Sequence, residues 1–178
     1  MGATRLAYEV EGWGTGELWA AEGRLVWHEL PRPRPEPLGP PRASSRFQPN
    51  AKVVTGGKRD RVGSVTIAEL AARVCAYFAG DPVRFDDVDL DLDWCTPFQR
   101  SVADVLRSVP AGQTVTYGEL AALAGHPNAQ RAAGTFCAGN RFGLLVPCHR
   151  VVAADGLGSY GSFGVEYKRR LLQLENAL

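Results

Sequence analysis

The stretch Thr116-Tyr117-Gly118-Glu119-Leu120-Ala121-Ala122-Leu123-Ala124-Gly125-His126-Pro127-Asn128 decides how the second half of the chain is read. Thr116 with Glu119 three residues on is a capping box: the hydroxyl accepts from the N3 amide and the carboxylate reaches back to the cap amide. The helix runs through Ala124. Gly125 ends it, because glycine adopts the left-handed conformation of a helix terminus without a Cβ clash. Asn128 can cap a third helix to about Ala138, before Gly139-Asn140. Two short helices across Gly125-His126-Pro127 have the spacing of a helix-turn-helix, although many helical hairpins with that spacing bind nothing.

Upstream, Thr96-Pro97-Phe98-Gln99 places an N-cap threonine, proline at the first helical position and glutamine at N3. Phe98, Val102, Val105, Leu106 and Val109 lie on one side of that helix, which ends near Pro110-Ala111-Gly112. Downstream, Leu144-Leu145-Val146 suits a short buried strand, which Pro147 stops because it cannot donate to a ladder. A regular strand would point Cys148 and His149 to opposite faces, whereas a turn after Pro147 can let them cooperate. An imidazole beside a thiol can take its proton and release the thiolate nucleophile. A Cys-His pair alone more often reflects packing than nucleophilic chemistry. The last helix spans about Val165 to Asn176, with Lys168, Leu171, Leu172 and Glu175 on one side, so Glu175 could orient His149.

The first half reads as β structure at its start. Residues 16–21 and 24–30 flank the hairpin turn Glu22-Gly23. Prolines from Pro31 to Pro49 argue for an extended loop over 31–61, with eight Arg or Lys against Glu36 and Asp60. Thr66 to Phe78 carries a helical apolar stripe stopped by Gly80-Asp81-Pro82, and Val88, Leu90 and Leu92 alternate with aspartates as in a strand. From Pro97 onward, eight basic residues face five acidic ones, and the net charge is +1, too little to establish nucleic-acid binding by charge alone.

Cys75, Cys95, Cys137 and Cys148 form no Cys-x-x-Cys pair, and the three histidines are scattered, so no metal is expected. Free thiols in a reducing compartment fit better than disulfides. No apolar run approaches a membrane span, and the N-terminus lacks a signal core, so a cytoplasmic protein is the expectation.

From Thr96 to Glu175 the chain resembles the C-terminal domain of O6-alkylguanine-DNA alkyltransferases. The matching pieces are Val115-Thr116-Tyr117-Gly118-Glu119-Leu120-Ala121, Arg131-Ala132-Ala133-Gly134, Gly139-Asn140 and Val146-Pro147-Cys148-His149-Arg150-Val151-Val152, then Gly158-x-Tyr160-Gly161 and Lys168-x-x-Leu171-Leu172-x-x-Glu175. The resemblance covers nearly half the chain and is loose before it. It implies an α/β (α+β) protein. A small N-terminal sheet-and-helix domain, ribonuclease H-like in the family, would occupy 1–93, and a helical domain with a helix-turn-helix and the reactive cysteine 94–178. The activity implied is a single-turnover methylated-DNA–protein-cysteine methyltransferase that flips O6-alkylguanine, and by extension O4-alkylthymine, out of duplex DNA and keeps the alkyl group on Cys148. No cofactor, membrane or obligate protein partner is implied, and a monomer associated with the nucleoid when on DNA is expected.

Roles follow by position. Cys148 would be the acceptor, His149 would act through a water, Glu175 would orient it, and Asn140 would brace the turn. Tyr117, Val151, Tyr160, Gly161, Ser162 and Lys168 would meet the base, its alkyl group or the backbone around them. Arg131 would fill the gap in the stack, while Thr116, Ala129, Gln130, Ala132 and Gly134 would face DNA in a minor-groove approach. The chain departs from the family at Arg141, where proline is usual, which would loosen the turn or add a phosphate contact. It departs also at Gln130, in place of a common alanine, and at Gly161-Ser162-Phe163-Gly164, one residue longer and bulkier than usual. A non-catalytic alkylguanine sensor, a Cys-His hydrolase and a helix-turn-helix regulator are the competing readings. A sensor of this type lacks the acceptor cysteine, a hydrolase would need an oxyanion hole, and no sensor or dimer domain accompanies the helix-turn-helix.

Overall fold

The computed structural model describes residues 3–33 and 61–178, and the chain divides into two compact units, Met1–Asp91 and Leu92–Leu178. No helix among the described residues is long and apolar enough to cross a membrane.

In the first unit, β1 (Thr4–Val10), β2 (Gly14–Ala21) and β3 (Arg24–Arg32) form an antiparallel sheet in that order. Glu22 (φ 52°) and Gly23 (φ 78°) join β2 to β3, with Ala21 opposite Arg24. Two left-handed residues in a two-residue loop match the twist of the flanking strands. β3 runs through Pro31 and Arg32 into what the sequence suggested was loop, and an edge strand tolerates a proline there. The rest of the expected proline-arginine loop, 34–60, lies outside the described residues.

The short hairpin of β4 (Arg61–Val62) and β5 (Val65–Thr66) leads into α1 (Ile67–Phe78), whose cap Thr66 forms a full capping box with Glu69. Ile67, Leu70, Val74 and Phe78 are buried, as the stripe requires, and the helix packs against β1. The acidic stretch is not a strand. Val88, Leu90 and Leu92 are buried while Asp89 is exposed, so the alternation is real, but a single bridge, Leu25 to Leu90, joins it to the sheet.

In the second unit, α2 (Pro97–Ser108) opens on the Thr96–Gln99 capping box and buries Val102, Ala103 and Leu106. The two-residue β6 (Val115–Thr116) feeds α3 (Tyr117–Leu123), capped by Thr116 and Glu119 and followed by Gly125 at φ 84°. α4 (Gln130–Ala138) follows, but Asn128 does not cap it. Asn128 sits at φ 72° inside the turn, and Ala129 is the cap residue with no side-chain bond, because the tight connection uses the asparagine's tolerance of left-handed backbone instead. After a turn, β7 (Val151–Val152) pairs in parallel with β6, and α5 (Val165–Leu174) closes the chain with Lys168, Leu171 and Leu172 buried.

Candidate active site

Leu144-Leu145-Val146 is buried but is not a strand. Leu144 stands at φ 68°, and the Val146 amide donates to the Phe142 carbonyl at 2.8 Å, folding the segment into a turn. Pro147, at φ −78° and ψ 67°, is the centre of an inverse γ-turn, in which the Cys148 amide donates to the Val146 carbonyl at 2.8 Å. Cys148–Arg150 then form one turn of 3₁₀ helix. A strand would have separated the two side chains across a sheet, and this double turn keeps both in the interior, with Cys148 8% and His149 0% exposed.

Asn140 ties the turn together. Its Oδ1 accepts from the Phe142 amide at 3.0 Å, and its Nδ2 donates to the Val146 carbonyl at 2.7 Å and to Cys148 Sγ at 3.1 Å. Burial pushes the Cys148 thiol up from its ordinary value, while Asn140, Lys168 and Tyr160 favour the thiolate. The resting thiol is therefore protonated, and chemistry at Sγ needs a base.

Behind it lies a buried polar network. His149 Nε2 is 2.8 Å from Glu175 Oε1. Arg150 holds the same carboxylate with Nε at 2.9 Å and a terminal nitrogen at 2.8 Å, and donates to the Val109 carbonyl at 2.5 Å. Burial alone would raise the Glu175 carboxyl, but the bonds from His149 and Arg150 together hold it well below the usual carboxylate range. Glu175 is thus an ionised acceptor, so Nε2 carries the proton and Nδ1 the lone pair. Burial, only partly opposed by Glu175, lowers His149 and keeps it neutral, able to accept a proton.

The β6–β7 pairing, Thr116 beside Val152, sets the start of α3 next to the cysteine turn, and burial together with the Cys137 and Cys148 thiols raises the Tyr117 phenol. Lys168 Nζ, fully buried, donates to the Val151 carbonyl at 2.5 Å and, longer, to Ser159 at 3.4 Å. Tyr160 is buried, and the half-buried rings of Phe163 and Tyr167 pack against it and each other. Gly161 and Ser162 are exposed.

On the helix-turn-helix surface Gln130, Arg131 and Ala132 are exposed and Ala129 half-buried. Gly134 faces the Tyr117 ring, where an added Cβ would stand 3.8 Å from it. Thr116, Tyr117, Pro127, Asn128, Gln130 and Ala153 are among the residues lining a groove of about 550 Å³. Arg150 has no assigned role in the sequence reading, although it grips Glu175 bidentately. Its partners lie 25 and 41 residues away and carry no local signal.

Residues 97–177 match the family model described as the DNA-binding domain of 6-O-methylguanine DNA methyltransferase. A methylated-DNA–protein-cysteine methyltransferase of Methanopyrus kandleri is 45% identical over 117 residues, 65% of this chain and 86% of that protein. The crystal structure of Mycobacterium tuberculosis O6-methylguanine methyltransferase superposes with a TM-score of 0.75 at 28% identity, covering 98% of this chain and 93% of the other. The same organism's protein in complex with DNA gives 0.73 at 30% identity, covering 99% and 94%.

Proposed function

Because the chain belongs to the methylated-DNA–protein-cysteine methyltransferase family, we propose that it takes the alkyl group from O6 of guanine in duplex DNA and keeps it on Cys148. It is a methylated-DNA–protein-cysteine S-methyltransferase with DNA as its partner. The observation that carries the site assignment is the buried Cys148 thiol, 3.1 Å from Asn140 Nδ2, beside a histidine whose Nε2 is committed to Glu175 at 2.8 Å.

In the proposed step the Cys148 S–H proton passes to His149 Nδ1 through a water. Sγ forms a bond to the alkyl carbon as the bond from that carbon to O6 breaks. Guanine keeps the electron pair and recovers a proton on its ring, so thiol plus alkylguanine become thioether plus guanine, with no further reactant. The thioether resists thiols and water, so each molecule acts once.

O6 of a paired guanine lies within the stack, beyond in-line reach of a protein thiol, so the base is extruded at a cost of a few kcal/mol. Exposed Arg131, near the start of α4, is suited to fill the gap, and it makes no ion pair among the described residues. Tyr117 contacts the extruded base or the phosphate whose rotation releases it. The backbone around Cys148 and Val151, the latter fixed by Lys168, reads the guanine edge, and Tyr160, Gly161 and Ser162 line the alkyl group. Thr116, Ala129, Gln130, Ala132 and Gly134 serve DNA docking. O4-alkylthymine is a second substrate by the same geometry, and the protein works as a monomer.

Mixed with excess O6-methylguanine duplex, the protein is expected to demethylate one lesion per molecule and stop. Binding without lesion loss would favour a sensor, and continued turnover would contradict an irreversible acceptor. Arg131→Ala is expected to slow repair of duplex by about tenfold to a hundredfold, since flipping is worth a few kcal/mol and each factor of ten is about 1.4 kcal/mol. Reaction with free O6-benzylguanine should be nearly unchanged, and equal losses on both substrates would refute the wedge role.

A further inference from the structure

We propose that Trp94 and Arg141 form a positioning clamp that aligns Asn140 on Cys148, an inference that rests on alkyl transfer at Cys148 as proposed above. Arg141 directly follows Asn140, so where its side chain is anchored constrains the peptide that presents the Asn140 amide. The Arg141 guanidinium carbon lies 4.3 Å from the centre of the Trp94 ring. Trp94 in turn lies nearly parallel to Phe136, at 6.2 Å between ring centres and 11° between planes. Phe136 is 2% exposed and belongs to α4. The stack therefore runs from the buried face of the helix bearing Arg131 to the residue beside Asn140.

The anchoring replaces a restraint the backbone does not supply. Proline at position 141 would hold φ near −65° by its ring, and arginine leaves φ free. A guanidinium is always charged and lies flat against an aromatic face, so it can hold that position from the side-chain end. Arg141 and Trp94 are both half-buried, and Arg141 makes no ion pair among the described residues. The Asn140 amide has little tolerance for movement, because one nitrogen serves both the Val146 carbonyl and the sulfur.

The test measures single-turnover alkylation by free O6-benzylguanine across pH, and repair of duplex across salt, for Arg141→Ala, Trp94→Ala, the double variant and Arg141→Lys. Each single alanine variant is expected to slow the free-base reaction about threefold to tenfold, the range of one half-buried cation–π contact. Each should also move the pH–rate profile upward, because a displaced Asn140 no longer favours the thiolate. His149, the proposed base, and Lys168, Tyr160, Tyr117 and Cys137, which face the thiol, are unaltered, so the shift reports on Asn140. The double variant should be no slower than the slower single one, and lysine, which keeps the cation, should restore most of the rate.

Unchanged free-base kinetics with weaker, less salt-dependent duplex binding would make Arg141 a phosphate contact and overturn the clamp. A loss of thermal stability with an unmoved pH profile would overturn it too, as would additive losses. Failure of the unaltered protein to alkylate Cys148 at all would remove the underlying reading and the clamp with it, and is told apart because it needs no variant.

Discussion

Replacing His149 by alanine is expected to slow alkyl transfer to Cys148 by roughly 100-fold to 10,000-fold, the usual contribution of a positioned general base. Two features set this size. Burial raises the Cys148 thiol, so little thiolate exists at neutral pH without proton removal. His149 is kept neutral by its own burial, and its Nε2–H is held by an ionised Glu175, so the imidazole enters the reaction with Nδ1 ready to accept. Single-turnover kinetics on a methylated duplex would measure the loss, with binding followed separately. Asn140, Lys168 and Tyr160 remain in the variant, so part of the lost rate should return at high pH, where hydroxide can deprotonate the thiol. A rate within threefold of the unaltered protein would show that His149 is not the base.

Glu175→Ala is expected to destabilise the second unit by about 3–5 kcal/mol, because removing one partner of a buried ion pair strands the others. The carboxylate serves Arg150 twice and His149 once, with the Glu175 side chain 2% and that of Arg150 12% exposed. Urea unfolding would read the change. The pH dependence has a fixed sign. Glu175 is lowered from 4.5, so its stabilisation is present above that pH and is lost as pH falls through its folded value. His149 is lowered from 6.5, so its contribution is also intact above that pH and declines below it. Stability should therefore begin to fall near the ordinary histidine range and fall more steeply below the carboxylate range. Glu175→Gln should flatten the lower limb.

Local chemistry made much of this molecule legible. The boxes at Thr96 and Thr116 are three-residue patterns with a hydrogen-bond rationale, and both open helices where they predict. The hairpin at Glu22-Gly23 is of the same kind. The sequence misled where one local preference competed with another. Asn128 has the chemistry of a cap and also tolerates left-handed backbone, and the short connection between α3 and α4 selected the second. Leu144 to Val146 is apolar because it is buried, and burial in a turn leaves the same composition as burial in a strand. The alternation at Val88, Leu90 and Leu92 reported a buried edge correctly but could not say that its β pairing is a single bridge, Leu25 to Leu90.

Within the site, the pairing of Cys148 with His149 and the choice of Glu175 as its orienting acid were readable, and the family resemblance supplied Asn140. The grip of Arg150 on Glu175 and Val109 was not, nor was the stack of Arg141 on Trp94 and Phe136, because these contacts join positions far apart in sequence. Phe163 shows a different limit, since its partners are near it in sequence. Its bulk suggested an altered pocket wall, and its packing against Tyr160 and Tyr167 became visible only in three dimensions.

The most direct test of alkyl transfer is the mass of the protein after incubation with duplex DNA containing O6-methylguanine, intact and as peptides. The expected result is one added CH₂ unit, a methyl in place of the thiol hydrogen, on the peptide containing Cys148, and no gain in Cys148→Ala. A methyl group on Cys137 or another residue, or demethylated DNA with the protein mass unchanged, would contradict the assignment of Cys148 as acceptor.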